Sequence, residues 1–355
     1  MEKDIGERIA HRIDALDPPI TRKAFAEKIG LTPDALSRSL SGQRGISSLE
    51  LLQIADALDA DMHELVTGIP DPRRVVLAAR HDFDRSTYKR SVPSFEEDKE
   101  TLENVRLAYT QSGLPAHRIE DLPDTPEEMR GRLGEDFVRP FIDRIESELG
   151  VDVVRVPELG TAYTATIVGR SVIIIPAKGN WFRENWDLAH ELAHLVGLEA
   201  EDDANAYAAQ LLLPEELVRR VDWDAASEQT LADFLWETGV STEALRHRLS
   251  TLGLVNEHVR TMLDCPTQRL LRRARSWSNA FGDEITERMT AAATRRFPLA
   301  LQEAHEQKVE TGQIGPAYLA WMRGVAEAWI AEVYAPGIGA PSVHDLAAEL
   351  GIEIA

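Results

Sequence analysis

The sequence of 355 residues predicts a multidomain protein with an all-α N-terminal region, an α+β core around a small sheet, and an all-α C-terminal region. Three observations lead to this prediction. Short helical patterns fill the first 70 residues, three β-branched runs bounded by Gly and Pro follow residue 150, and the signals beyond residue 200 are helical. The predicted divisions are 1–70, 71–130, 131–255 and 256–355, of which the second is a partly helical connector.

Composition limits the classes of partner and compartment. The net charge of −21 disfavours nonspecific attachment to nucleic acid or anionic membranes, although a local DNA-reading face remains compatible with it. Cys265 is the one cysteine, so no intramolecular disulfide can form and a reducing cytoplasm is expected. Neither a signal peptide nor a membrane span is predicted, because the most apolar run, VIIIPA, is far shorter than the roughly 20 residues that a span needs.

Residues 21–66 have the layout of a helix-turn-helix. A first helix is expected over about 22–28, and Gly30 supplies the turn. Thr32 is the expected N-cap of the second helix, and Pro33 occupies the first helical position, where a missing N–H leaves no hydrogen bond unmade. This segment resembles the lambda-repressor/Cro-type (XRE) family over about residues 5–68.

The resemblance implies a DNA-reading surface on the second helix and the loop that follows. Its expected members there are Thr32, Asp34, Ser37, Arg38, Gln43 and Arg44, with the last two near the DNA backbone, and Arg22 of the first helix is expected to join them. Arg22 stands where the family often has glutamine. Residues 1–70 contain eight basic and twelve acidic side chains, a net charge of −4, which leaves little positive charge to neutralise phosphates. We expect operator DNA binding that is weak or dependent on a homodimer; the alternative is a docking surface for a protein partner.

The central region combines helices with a small sheet. Amphipathic helices are expected around 97–113 and over 135–150, the second with Phe137, Phe141, Ile145 and Leu149 on one face. The runs VDVVRV, TAYTATIV and SVIIIP predict three strands. They immediately precede the segment WDLAHELAHLVGLE, residues 186–199, which is predicted to be helical.

His190 and His194 lie four residues apart, so a helix places both imidazoles on one face. Glu191 lies about 100° further round the helix axis. This HExxH pattern is typical of two zinc ligands and the general base of a metallopeptidase. The alternative is a helix with two ordinary histidines. A catalytic zinc needs a third protein ligand, and acids occur at the start of the next predicted helix, where they also suit the helix dipole.

Two motifs resemble those of the ImmA/IrrE-type metallo-endopeptidases: HELAH at 190–194 and DANAYAAQLLLP at 203–214. The resemblance covers about residues 135–255 and implies a zincin-like core. It also implies zinc held by His190, His194 and Asp203, with Glu191 as the base. Asp203 is shorter by one methylene than the glutamate usual in the family, and Glu199 or Glu201 could replace it. Tyr207 is interpreted as a packing residue.

Three functions fit these features. The first is a regulator that carries its own zinc endopeptidase and cleaves a repressor-like protein. The second is a transcriptional regulator or antitoxin-like protein that is not an enzyme, with a degenerate peptidase domain used as sensor or scaffold. The third is a factor that cuts its own segment 71–130. If the protein is a peptidase, whether it cleaves another protein or itself, the substrate is expected to extend along an edge of the sheet, at either the TAYTATI or the SVIII strand.

The remaining chain is predicted to be helical. Residues 231–255 could form a second helix-turn-helix but are interpreted as structural support. A helix over 267–281 is expected to carry Leu270, Leu271, Ala274, Trp277 and Phe281 on one face, with arginines off that face as a solvated flank. The tail is expected to pack through aromatic residues.

Overall fold

A computed structural model describes residues 5–16, 19–58, 60, 62–68, 76–79, 82–84, 89–91, 95–117, 119, 122–275, 277–279 and 282–334. The chain divides into two compact units, Met1–Arg74 and Val75–Ala355. The predicted boundary segment GIPDPRR lies largely outside the described residues, as does the tail from residue 335. No helix in the described ranges is long and apolar enough to cross a membrane.

The first unit is helical. Its helices are α1 (Ile5–Asp14), α2 (Arg22–Lys28), α3 (Pro33–Leu40), α4 (Ser48–Leu58) and α5 (Met62–Thr67). Thr21 and Thr32 cap α2 and α3, since each hydroxyl accepts a backbone N–H three residues ahead at 3.2 Å. The predicted first helix and the Thr32–Pro33 start of the second are thereby confirmed. Gly6 allows α1 to approach α3 closely, because a Cβ there would lie 2.3 Å from the Leu40 carbonyl oxygen.

The second unit contains all the described strands and fourteen further described helices. Its strands are β1 (Val76–Ala79), β2 (Asp82–Asp84), β3 (Lys89–Ser91), β4 (Asp152–Val156), β5 (Tyr163–Ile167), β6 (Arg170–Pro176), β7 (Ser278–Asn279) and β8 (Gly282–Asp283). Its helices are α6 (Phe95–Ser112), α7 (Pro126–Leu133), α8 (Phe141–Arg144, continued by a π-helical turn Ile145–Leu149), α9 (Trp181–Leu195), α10 (Glu201–Leu212), α11 (Glu215–Arg219), α12 (Glu228–Thr238), α13 (Thr242–Thr251), α14 (Glu257–Leu263), α15 (Thr267–Ala274), α16 (Glu284–Ala293), α17 (Leu299–Glu310), α18 (Ala317–Arg323) and α19 (Glu327–Val333).

The main sheet has the order β1-β5-β6-β4 and mixes parallel and antiparallel pairs. The three predicted strands are confirmed as β4, β5 and β6, with β4 parallel to β6 and β5 antiparallel to it. The fourth strand, β1, pairs antiparallel with β5. It comes from the segment that was predicted to be a connector, so at least part of 71–130 belongs to the sheet.

Both faces of the sheet are covered by helices because the strand side chains alternate. Val153, Ile173 and Ile175 face a core that includes residues of α7, α9, α10, α12 and α15. Val154 and Ile174 face a second core built with α6, α17, α18 and α19. Helices from the predicted connector and from the predicted C-terminal domain therefore bury the same sheet. Among the described residues, the predicted divisions at 130 and 255 do not separate hydrophobic cores.

Two predicted helices differ from those in the structure. The pattern over 135–150 becomes helical at Phe141, after Pro140, although Phe137 packs in the same core. The helix predicted over 267–281 ends at Ala274, and the chain then forms the short pair β7–β8. Trp277 is buried there and its indole N–H donates to the Leu271 carbonyl oxygen at 2.6 Å, which anchors the turn that replaces further helix. Phe281 lies outside the described residues.

Candidate metal centre and helix-turn-helix surface

Helix α9 carries the HELAH segment in its last two turns. Asn180 caps the helix by accepting the Arg183 backbone N–H, and the helix packs its apolar residues against the sheet. His190 and Glu191 are both buried within this packing. The chain reverses at Gly197, whose φ of +92° is a left-handed value that glycine adopts without strain. Helix α10 then begins at Glu201 and returns along α9.

Three potential metal ligands converge between these two helices. The Nε2 atoms of His190 and His194 are 3.1 Å apart. The carboxylate of Glu201 lies 3.3 Å from Nε2 of His190 and 3.7 Å from Nε2 of His194. Among the described residues, this trio forms a group with the geometry of a metal site. The Glu201 side chain is 25% exposed while the imidazoles are nearly buried, so the cluster opens to solvent on the Glu201 side.

Hydrogen bonds orient both imidazoles towards this cluster. Nδ1 of His194 donates to the Leu198 carbonyl oxygen at 2.7 Å. Nδ1 of His190 lies 3.2 Å from Oδ1 of Asn205 and donates to it. With Nδ1 protonated, each neutral ring presents the Nε2 lone pair to the cluster. Partners of this kind hold metal-bound histidines in one orientation and make them better ligands.

The donor set fits a zinc ion. Ligand atoms held at about 2.0–2.1 Å from a tetrahedral ion lie roughly 3.3 Å apart, and the separations of the two Nε2 atoms and of His190 Nε2 from Glu201 Oε2 are close to this edge length, whereas the contact of His194 is to the other carboxylate oxygen, Oε1. Two nitrogen lone pairs that face each other beside a carboxylate repel in the absence of a cation. Two imidazoles and one carboxylate are also a ligand combination that catalytic zinc takes, with a fourth position open.

Asp203, the predicted third ligand, does not join the cluster. It lies two residues after Glu201 on α10, about 200° round the axis, and its side chain is exposed. Glu199, the other alternative, is exposed in the loop before the helix. The carboxylate that the structure brings to the histidines is Glu201, because the helix begins there and its first turn faces α9.

The carboxylate of Glu191 is held from the sheet. The hydroxyl of Thr164, on β5, donates to Glu191 Oε2 at 2.7 Å, and the same hydroxyl lies 3.2 Å from the Glu191 carbonyl oxygen. Thr164 is itself buried. Sequence reasoning missed Thr164, and also Asn205, although Asn205 stands inside the quoted DANAYAAQLLLP motif. No signal in the sequence pointed to Thr164, because in the alternating run YTATI it shares its strand face with Thr166, which is exposed.

Tyr207 lies six residues after Glu201 on α10, about 240° round the helix axis, and stays interpreted as a packing residue. Its side chain is buried against the core, and burial raises the pKa of the phenol, with Asp124 and Glu127 adding to the rise. Asp124 precedes α7 and Glu127 lies in its first turn, and α7 contacts α10.

The predicted DNA-reading residues are mostly on the surface of the first unit. Thr32, Asp34, Ser37, Arg38, Gln43 and Arg22 are exposed, and Arg44 is half-buried. The hydroxyl of Thr32 is engaged as the helix cap. The structure therefore presents α3 as an accessible face, with Asp34, Ser37 and Arg38 along it.

Each of the three predicted DNA-reading arginines is paired with an acid of the same unit. Arg22 binds Asp14 at 2.6 Å, and this hydrogen bond lowers the pKa of Asp14. Arg38 binds Asp34 at 2.7 Å on the exposed face of α3. Arg44 binds Glu50 at 2.6 Å, which together with the Ser47 backbone lowers the pKa of Glu50 to about 2. Exposed pairs of this kind are weak, so a phosphate could replace the partner of Arg22 or Arg38 at small cost.

Comparison with protein-family models gives two matches. Residues 147–250 match the IrrE N-terminal-like domain, a peptidase family, and residues 20–65 match a helix-turn-helix family. No curated protein and no solved structure matched the chain. The chain is thus similar to a helix-turn-helix family over residues 20–65 and to the IrrE N-terminal-like domain over residues 147–250, as both resemblances indicated.

Proposed function

We propose that the protein is a DNA-binding regulator with its own zinc-dependent endopeptidase, which cleaves a repressor-like protein. The peptidase part of this proposal rests on one observation: two imidazole nitrogens and the Glu201 carboxylate converge beside the buried side chain of Glu191. His190, His194 and Glu201 would hold the zinc. A bound zinc supplies Lewis acidity towards a peptide carbonyl and activates water near neutral pH.

The chain's own residues have separate tasks in this hydrolysis. Glu191 takes the proton from the attacking water and can return it to the departing amine. Thr164 holds that carboxylate in place through its hydroxyl donor. Asn205 and the Leu198 carbonyl keep both imidazoles in the tautomer with a free Nε2. The half-open side at Glu201 leaves room for a peptide to approach.

The test combines metal analysis with proteolysis. Purified protein is expected to hold one zinc and to cleave peptides from a randomised fluorogenic library. Glu191→Gln should keep the zinc and lose the cleavage, because the amide cannot accept the proton. His190→Ala should lose both. If the zinc-loaded protein shows no peptide cleavage that depends on Glu191, the peptidase proposal is wrong. The scaffold function would then remain, in which the domain senses or docks without catalysis.

A specific observation supports self-processing as a second candidate. Strand β1, from the segment 71–130, pairs with β5, the strand that carries Thr164. A stretch of the chain's own backbone thus runs close to the proposed base. Self-processing predicts a fragment cut within 71–130 that accumulates with zinc in the wild type and not in Glu191→Gln, detected by intact-mass spectrometry.

A further inference from the structure

Without β1 the main sheet would end at β4 on one side and at β5 on the other, and both of these strands are covered, but in different ways. On the β4 side, Arg155 of β4 exchanges backbone hydrogen bonds with Arg296 at 2.8 and 2.9 Å. Strand β6 separates β4 from β5, the strand that contacts Glu191. On the β5 side, residues 76–79 pair with four of the five residues of β5. The β5 edge is the one beside the candidate site, since Thr164 contacts Glu191 from this strand.

The covering strand comes from outside the matched peptidase domain. The match spans residues 147–250 and contains β4, β5 and β6, whereas β1 lies about 70 residues earlier in the chain. The pairing register places Ala78 directly opposite Thr164. The added strand thus pairs directly with the residue that holds the proposed base.

We infer that the β5 edge is the docking edge for an extended peptide substrate, and that residues 76–79 are its resident occupant. This inference rests on the proposed peptidase function. A peptide that adds to a sheet edge uses the same row of backbone N–H and C=O groups that an edge strand uses. Neighbouring strands lie about 4.8 Å apart, so one edge accepts a single chain at a time. A substrate must displace 76–79 before it can pair with β5.

The resident strand is suited to this displacement. It is four residues long, so few ladder hydrogen bonds hold it. As part of the same chain it competes at an effective concentration on the order of millimolar, which suppresses weak peptide substrates. Val76 follows Arg74, the last residue of the helix-turn-helix unit, by two positions. Release of β1 is therefore the shortest covalent route by which an event in that unit could open the peptidase edge.

A reversible disulfide tests whether the strand must leave. Val76 and Thr166 are direct partners in the register, and directly opposed strand residues have Cα separations that suit a disulfide. The pair Val76→Cys and Thr166→Cys is introduced in full-length protein with Cys265→Ser, and the same pair kept reduced is the control. Neither position is one of the proposed zinc ligands or one of the residues that hold Glu191.

Proline variants test whether a loosened β1 lets the peptide bind more tightly. Leu77→Pro and Ala78→Pro are made separately, because along an antiparallel strand only alternate residues direct their N–H groups at β5. The variant that removes a ladder hydrogen bond should loosen the strand. The probe is a fluorescent peptide with the sequence RVVLAARHD, residues 74–82, and a scrambled peptide is the control. Binding is measured by anisotropy in a Glu191→Gln background, where nothing is cleaved.

The inference predicts that the oxidised pair binds the peptide at least 10-fold more weakly than the reduced pair. It also predicts that one proline variant binds at least 10-fold more tightly than the parent. Equal binding in oxidised, reduced and proline forms would overturn it, and so would a wild-type cut between 76 and 84, which would make the strand a substrate. If binding follows the predicted order but no form with Glu191 cleaves any peptide, the peptidase proposal alone fails.

Discussion

At the scale of single residues, the identity of the third ligand is the sharpest question. Glu201→Gln keeps the size of the side chain but removes its charge, so zinc affinity should fall by more than about 100-fold, since even partners outside the ligand set are worth about 10–100-fold. Asp203→Asn is the matched control, two residues away and exposed, and should leave affinity unchanged. Competition with a chromophoric chelator measures both. The reverse ranking would restore Asp203 as the ligand.

The choice among these acids could not be made from the sequence. Glu199, Glu201, Asp202 and Asp203 lie within five positions, and each residue of a helix points 100° from the last. The ligand is thus decided by where α10 begins and how it packs on α9, which are tertiary facts. His190 and His194 were predictable because their spacing alone fixes a common helix face.

A second residue-scale prediction concerns Thr164. Thr164→Val preserves the shape of the side chain and removes the hydroxyl that donates to Glu191. Cleavage should fall roughly 10-fold to 100-fold, because a general base is worth 10²–10⁴-fold and here is misplaced without being lost. Zinc content should stay at one per chain. Thr164→Ser retains the hydroxyl and should recover most of the turnover; failure of Ser to do so would make the effect one of packing.

At the scale of elements, α3 is expected to read DNA although residues 1–70 have a net charge of −4 and so little positive charge to neutralise phosphates. Arg38→Ala should weaken binding to DNA from the protein's own promoter and lower the slope of log affinity against log salt by about 0.9, the value for one lost phosphate contact. Arg219→Ala removes a comparable exposed arginine, paired with Glu215 in α11, and should leave both quantities unchanged. Absence of DNA binding even at low salt would favour a protein partner for this face.

The elements also mark the limit of prediction from sequence. Helices α2 and α3, strands β4 to β6 and helix α9 carry local signals, such as caps, β-branched runs and apolar periodicity, and were predicted near their observed bounds. Strand β1 carries none, since its four residues VLAA gain their structure from pairing with β5. The end of α15 at Ala274 was missed because Leu271, Ala274 and Trp277 continue a helical period that the tertiary structure interrupts.

At the scale of the whole molecule, the second unit has a buried histidine that links its helices. His305 of α17 is fully buried, and its Nε2 donates to the Ala108 carbonyl oxygen of α6 at 2.8 Å. Its Nδ1 has no hydrogen-bond partner within the described structure. Burial lowers the pKa of His305, and the charge of Lys308 adds to this.

The lowered pKa has a defined consequence for stability. The unfolded chain binds a proton at His305 near pH 6.5, while the folded chain resists it, so stability is complete above that pH and is lost as pH falls towards the folded pKa. The loss for one proton is at most about 1.4 kcal/mol per pH unit.

All seven tryptophans lie beyond residue 180, so tryptophan fluorescence in urea follows this unit alone. His305→Gln can still donate to Ala108 but cannot titrate, and between pH 7 and 5 its stability should fall less steeply than that of wild type. His247→Asn, at an exposed histidine, should reproduce the wild-type slope, and equal slopes in all three proteins would exclude His305 as the source.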